Sequence, residues 1–200
     1  MIIAIDGPAG VGKSTVAKLL AARLGYLYLD TGALYRALAW KTLQSRIRPT
    51  DQAQVTTLLP ATSIHMQFQH GLVQVLVDGL DVTGDLRTPE VTTAASIVSA
   101  IPAVREWLLP IQRQIGQRGS VVAEGRDIGT KVFPSALFKF FLEADATVRV
   151  ERRHRELVAV GRGGTVETTS QDLSDRDQRD RTRSIDPLVP ADDARFIDTS

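Results

Sequence analysis

The sequence predicts an α/β fold built around a five-stranded parallel sheet. Three observations predict it. Short, largely apolar runs recur at 2–5, 26–29, 120–123, 138–142 and 194–197, the pattern of strands buried within a parallel sheet. Stretches with helical periodicity lie between them, as crossovers between parallel strands require. The first run passes directly into a glycine-rich segment and then into a helix-period stretch.

The first strand is Ile2, Ile3, Ala4 and Ile5. After it, Gly7-Pro8-Ala9-Gly10-Val11-Gly12-Lys13-Ser14-Thr15 fits the phosphate-loop pattern G-x-x-x-x-G-K-[ST] without gap or substitution. Glycines at 7, 10 and 12 let the backbone bend around a polyphosphate with its N–H groups turned inward. The helix beginning near Lys13 adds the partial positive charge of its N-terminus. In such a loop the lysine ammonium reaches the β- and γ-phosphates and the Ser14 hydroxyl ligates Mg²⁺. A glycine-rich turn with a surface lysine is the alternative, and the flanking strand and helix favour nucleotide binding. Val16, Leu19, Leu20 and Leu24 repeat at helical spacing as the stripe this helix packs inward, closed by Gly25.

Two hundred residues at 43% hydrophobic content suffice for one core. No apolar leader precedes the first strand and no long apolar segment follows, so a cytoplasmic protein without a membrane span is expected. The absence of cysteine excludes disulfides and thiolate metal sites, and three scattered histidines argue against a zinc cluster. A net charge of +1 argues against a general nucleic-acid binder. Of the 24 basic residues, 19 are arginine. Codon bias explains that as well as phosphate-gripping guanidinium forks do, so the arginine positions must decide.

Tyr26 to Leu29 form the second strand, and Asp30-Thr31-Gly32 a turn in which Thr31 caps a helix from Leu34 to about Leu43. Arg36, near the start of that helix, either holds a second phosphate group or is solvated. Ile64, Met66 and Phe68, then Val73, Val75 and Val77, alternate with polar residues around a His70-Gly71 turn. That is an antiparallel hairpin with one wet face, inserted as a small lobe, with His65 and His70 as strand and turn residues rather than ligands. Helices are expected from 89 to about 117, with Ala94, Ile97, Val98 and Ile101, then Val104, Trp107, Leu108 and Ile111, on their inner faces. Periodicity alone makes Ser96 and Arg105 surface positions.

The strand at 120–123 runs into Glu124-Gly125-Arg126-Asp127. Acids at a strand's carboxyl end suit the carboxylate that positions Mg²⁺ beside a phosphate loop, and a salt-bridged loop has the same composition. Arg149, Arg152 and Arg153 share one helix face. Arg176, Asp180 and Arg183 share another, in an almost wholly polar segment, with Gly161-Arg162-Gly163-Gly164 between the two. Arginine face, glycine hinge and arginine face are the parts of a lid over a polyphosphate.

These stretches together resemble the bacterial cytidylate kinases, a branch of the nucleoside monophosphate kinases. The resemblance rests on Ile5-Asp6-Gly7-Pro8 through Thr15, Asp30-Thr31-Gly32-Ala33-Leu34-Tyr35-Arg36 and Glu124-Gly125-Arg126-Asp127-Ile128-Gly129-Thr130. The run from Arg176 to Arg183 and Pro187-Leu188-Val189-Pro190 complete it. It implies a P-loop NTPase fold, its five-stranded parallel core sheet carrying helices on both sides, and one kinase domain over 1–200. The core would be about 1–33, 118–148 and 184–200, the monophosphate-binding lobe about 34–117 with the β insert, and the lid region about 149–183. The implied activity is ATP-dependent phosphorylation of CMP and dCMP with Mg²⁺, by a monomer that needs no protein partner, membrane or nucleic acid.

The resemblance also implies roles. Gly7 to Thr15 hold ATP, and Ser14 holds the metal with Glu124 or Asp127, possible through water. Thr31, Arg36, Arg126 and Arg183 hold the acceptor's phosphate; Ser96, Arg105 and Asp127 read cytosine; Arg176 and Asp180 contact the sugar. Lys13, Arg126, Asp127, Arg183 and the lid arginines Arg149, Arg152 and Arg153 surround the transferring phosphoryl group. Family members continue past the last strand into a helix, whereas this sequence stops at Asp198-Thr199-Ser200, so apolar residues of the last strand are expected to be exposed. The rival readings are a kinase of the same architecture acting on UMP, AMP or shikimate, a GTPase-like switch, and an RNA-binding module. The switch lacks an N-K-x-D guanine motif here, and the near-neutral charge disfavours the RNA module.

Overall fold

The computed structural model describes residues 1–69, 72–159 and 161–200. In chain order the elements are β1 (Ile2–Asp6), α1 (Lys13–Leu24), β2 (Leu27–Asp30), α2 (Thr31–Gln44), α3 (Gln52–Leu58), β3 (Ile64–Gln69), β4 (Leu72–Val77) and β5 (Leu80–Asp81). They continue with α4 (Pro89–Val98), α5 (Pro102–Gly116), β6 (Val121–Gly125), β7 (Phe138–Glu143), α6 (Ala146–Ala159), α7 (Val166–Thr182) and β8 (Arg195–Asp198). The expected five-stranded sheet has the order β2-β6-β1-β7-β8, parallel at every pairing. β1 is central, and the carboxyl ends of its strands form the edge at which open α/β sheets bind ligands.

Each face of the sheet has its own apolar cluster. On one face Ala4, Leu29, Val121 and Ala123 join Leu34 and Leu38 of α2, Val98 of α4 and Leu108 of α5. Ile64, Met66, Val75 and Val77 belong to the same cluster, so the antiparallel sheet β3-β4-β5 shares the main core. The alternation read from the sequence sets its inner face, while the His70-Gly71 turn lies outside the described residues.

On the other face Ile3, Ile5, Val11, Val122 and Leu142 pack against Ala17 and Ala21 of α1. This corrects the expected stripe in all but Leu20, which packs against the cluster: Leu19 is 68% exposed, and Val16 and Leu24 are exposed too. The buried positions of α1 are Lys13, Ala17 and Ala21, one row at i, i+4 and i+8. The phosphate loop must deliver Lys13 inward, and that fixes the roll of the helix behind it. Alanines on the row let α1 approach the sheet closely.

Three further differences have local causes. The cap of α2 is Asp30, whose carboxylate accepts from the Ala33 N–H at 3.1 Å, and Thr31 is already the first helical residue. The short α3, absent from the sequence reading, is capped in the same way by Asp51. After β6 a π turn, Ile128–Val132, hangs on β1: the buried Asp6 carboxylate accepts from the Ile128 and Gly129 N–H groups, both at 2.8 Å. β8 is exposed along its length as expected, with Phe196 at 59% and its ring against Phe141. No single described helix is long and apolar enough to cross a membrane.

Candidate active site

Glycine permits the turn that joins β1 to α1. Gly10 and Gly12 have φ of +79° and +89°, and a Cβ on Gly7 would lie 2.3 Å from the Leu142 carbonyl oxygen. The loop floors a cavity of about 330 Å³ at the carboxyl edge of the sheet, lined by Ala9, Gly10, Gly12, Lys13, Ser14 and Thr15. Gly7, Pro8 and Val11 are outside the lining, and Val11 is buried beneath, in the α1 core. Thr31, Arg36, Ser96, Arg105, Glu124, Arg126, Asp127, Arg153, Arg176, Asp180 and Arg183 line the same cavity, although they come from six different stretches of chain.

The cations there are held against their preference. The Lys13 Nζ donates to the Pro8 carbonyl at 2.6 Å, and burial, followed by repulsion from Arg126, brings its pKa down to about 7. Burial, again followed by Arg126, lowers Arg176 to about 10, and its Nε has no hydrogen-bond partner among the described residues. Burial and then Arg105 lower Arg183, whose Nη2 is also without a hydrogen bond. Burial opposes ionisation of Asp180, but Arg126 and then Arg176 outweigh it and hold the carboxyl below its usual range. Arg126 Nε donates to Asp180 at 2.8 Å. Cations that are buried, depressed and short of acceptors are satisfied by a polyanion.

Ser96 and Arg105 are 5% and 3% exposed, which corrects their reading as surface positions. Arg105 tolerates burial because its Nη2 pairs with Asp127, its Nε donates to Asp186 at 3.0 Å and its Nη1 donates to the Ser99 carbonyl at 3.2 Å. The guanidinium lies 5.5 Å from the centre of the Tyr35 ring. Three of its five N–H bonds are used, which leaves two. Ser96 Oγ accepts from Arg179 Nε at 3.1 Å. The Arg105 partners Asp127 and Asp186 lie 22 and 81 residues away, beyond any periodicity argument.

The arginines of α6 do not act as one face. Arg153 lines the cavity. Arg149 turns to the phosphate loop, with Nη1 donating to the Ala9 carbonyl at 3.0 Å and pairing with Asp177. Arg152 points away and donates to the Thr199 carbonyl at 2.6 Å, so it is not brought into the site. Thr31 donates its hydroxyl proton to the Glu124 carbonyl at 2.8 Å, tying the start of α2 to β6, and Arg36 pairs with Asp30 at 2.7 Å with its Nε unpartnered among the described residues.

Asp177, Arg179 and Asp186 are contacts that the sequence reading missed. A helical signal for Asp177 was present: Thr169, Leu173, Asp177 and Asp180 are the buried row of α7. Only Leu173 in that row is apolar, so hydrophobic periodicity does not detect it. Asp186 has φ of +47°, a conformation that aspartate tolerates better than most residues, and its carbonyl accepts from Arg183 Nε at 2.7 Å.

The two candidate metal acids differ. Asp127 is engaged by Arg105 and faces Arg183 at 3.7 Å, whereas Glu124 accepts one hydrogen bond, from Tyr28. Ser14 and Glu124 line the same cavity. No group of three His, Cys, Asp or Glu among the described residues is arranged to hold a metal ion. The donor set fits Mg²⁺ that enters with phosphate oxygens and takes one or two protein ligands.

A sequence profile of cytidylate kinase matches residues 3–200. The chain is 47% identical over 199 residues to a cytidylate kinase of Pelotomaculum thermopropionicum, covering 99% of this chain and 88% of that protein. It is 48% identical over 198 residues to a bifunctional pantoate ligase/cytidylate kinase of Synechococcus elongatus, covering 96% of this chain and 38% of that longer protein. A solved gluconokinase of Sinorhizobium meliloti 1021 aligns with 99% of this chain and 82% of its own at a TM-score of 0.45 and 19% identity. The profile spans nearly every residue, from the first strand through the phosphate loop and the Glu124 to Asp127 corner to the end of β8, and the chain belongs to the cytidylate kinase family.

Proposed function

We propose that this protein transfers the γ-phosphoryl group of ATP, as its Mg²⁺ complex, to CMP or dCMP. The observation that carries the reading is the set of buried, underpartnered cations, Lys13, Arg176 and Arg183, sharing one cavity with a complete phosphate loop. Membership of the cytidylate kinase family supports the choice of acceptor.

The loop amides and Lys13 hold the triphosphate, and Ser14 with Glu124 holds the metal, which draws charge from the phosphate oxygens when bound. Arg36, Arg126 and Arg183 orient the acceptor's phosphate. Its oxygen is ionised at neutral pH and is itself the nucleophile, so no strong general base is needed. Alignment of the two phosphates and compensation of the developing charge supply the catalysis. Arg153, extending from α6 over the same cavity, is the arginine best situated to follow the transferring group.

Cytosine offers a donor at N4 beside acceptors at N3 and O2. Asp127 and Ser96 accept, and the two uncommitted N–H bonds of Arg105 donate, which is the matching polarity. A coupled assay of ADP release with CMP, dCMP, UMP, AMP and shikimate tests the reading. CMP and dCMP are expected to be the best acceptors, and Lys13→Ala is expected to lower kcat by about 10²–10³-fold. ADP release unaffected by CMP, or near-normal turnover of Lys13→Ala, overturns it.

A further inference from the structure

Ala9 lies at the tip of the phosphate loop, and one ion pair holds both polar groups of its main chain. Its N–H donates to Asp177 Oδ1 at 3.3 Å, and its carbonyl accepts from Arg149 Nη1 at 3.0 Å. The same Arg149 nitrogen pairs with the other oxygen of Asp177. Two residues from distant parts of the chain therefore close a ring around one loop residue. A Cβ added to Gly10 would meet the Arg149 carbonyl oxygen at 3.0 Å and its Cβ at 3.1 Å, so the backbone of α6 also rests against the loop.

We propose that Asp177 and Arg149 are positioning residues that clamp Ala9 and make the shape of the phosphate loop depend on the seating of α6 and α7. The proposal rests on the reading of this loop as the ATP site. A loop with three glycines at positive φ has little shape of its own, and convergent amides without an anion repel one another. Lys13 restrains the neighbouring Pro8 carbonyl only until a phosphate takes its ammonium. The bonds to Ala9 do not compete with the phosphates for Lys13, so they persist when the loop fills.

An exposed arginine–aspartate pair contributes little, but these side chains are only 14% and 12% exposed, and deletion of either partner leaves a largely shielded charge uncompensated. Because α6 and α7 each supply one half, displacement of either helix releases one end of Ala9 and breaks the ion pair that supports the other. Among the described residues, Asp177 hydrogen-bonds Ala9 and Arg149 and no base-reading residue. Its loss should reach ATP through the loop and leave cytosine recognition alone.

The test uses the full chain with Asp177→Ala, Asp177→Asn, Arg149→Ala and the double alanine variant. ATP and CMP affinities are measured separately by calorimetry, together with kcat and both KM values. Asp177→Ala is expected to weaken ATP binding about tenfold and to lower kcat/KM for ATP about 10²-fold, with CMP affinity within about twofold. Asp177→Asn, which still accepts from the Ala9 N–H, should fall between it and the unmodified protein. The double variant should lose no more than the worse single variant, because one ring is broken in each case.

A merely structural role would weaken both nucleotides together with the Tm, and that outcome overturns the clamp. So does unchanged ATP affinity in Asp177→Ala, or additive loss in the double variant. If Asp177→Ala does not fold, Asp177→Asn decides by the same split between ATP and CMP. ATP binding is read without turnover, so absence of CMP phosphorylation in the unmodified protein would defeat the proposed function while the clamp is still judged on ATP affinity.

Discussion

Lys13 carries a pKa of about 7 in the folded protein, against 10.5 in the unfolded chain. Between those values the unfolded chain binds the proton and the folded one releases it, so this group makes stability rise with pH from about 7 to about 10.5. A bound triphosphate favours the ammonium and reverses the shift. MgATP binding at about pH 8 should therefore take up close to one proton, read as the dependence of the calorimetric heat on buffer ionisation enthalpy. Lys13→Met should abolish the uptake, and no uptake by the unmodified protein would mean that the ammonium is already charged in the empty cleft. Asp6 shows the opposite sign: burial raises it from 3.8 to about 6, so its contribution to stability falls as pH rises through that interval. Asp6→Asn leaves one acceptor oxygen for two N–H groups and should cost about 1–3 kcal/mol in urea unfolding. The phosphate-loop residues were legible because their pattern is contiguous. The burial of Ser96 and Arg105 was not, because the groups that satisfy them arrive from α7 and from the segment after it.

Elements divide in the same way. The core strands were readable because each is a short apolar run, and the β3–β4 pairing because its alternation has one buried face. The roll of α1 was not readable, since four leucine and valine positions outvote two alanines in any hydrophobic count. What decides it is Lys13, a charged residue at the head of the buried row. Two substitutions test the inverted face. Leu19→Ser should change unfolding free energy by less than about 0.5 kcal/mol, as expected at an exposed site. Ala21→Leu should cost about 1–3 kcal/mol, because it drives methylenes into the contact with the sheet. A large loss from Leu19→Ser would show that the leucine stripe is packed in solution. α7 makes the same point with opposite chemistry: a row of threonine, leucine and two aspartates is buried because arginines on other elements meet the acids.

Over the whole molecule, the sheet edge gathers a phosphate end and a base end that are linked by ion pairs. Arg126 meets Asp180, Asp180 faces Arg183 at 3.9 Å, Arg183 faces Asp127, and Asp127 pairs with Arg105. Discrimination at the base end therefore comes from groups whose orientation the network fixes before any ligand enters. Uracil presents a carbonyl at position 4 and a donor at N3, which sets acceptor against Asp127 and donor against Arg105. Each of the two mismatches leaves a buried partner unpaired at about 1–3 kcal/mol, so UMP should be used about 30- to 10⁴-fold less efficiently than CMP. Arg105→Ala should lower kcat/KM for CMP more than it weakens ATP binding, and should narrow the preference over UMP. It also strips Asp127 and Asp186 of their buried partner, so a fall in Tm is expected alongside. The diagnostic quantity is the CMP-to-UMP ratio, which a loss of folded protein cannot change. Equal kcat/KM for CMP and UMP in the unmodified protein would defeat the assignment of cytosine to this corner and leave phosphoryl transfer from ATP intact.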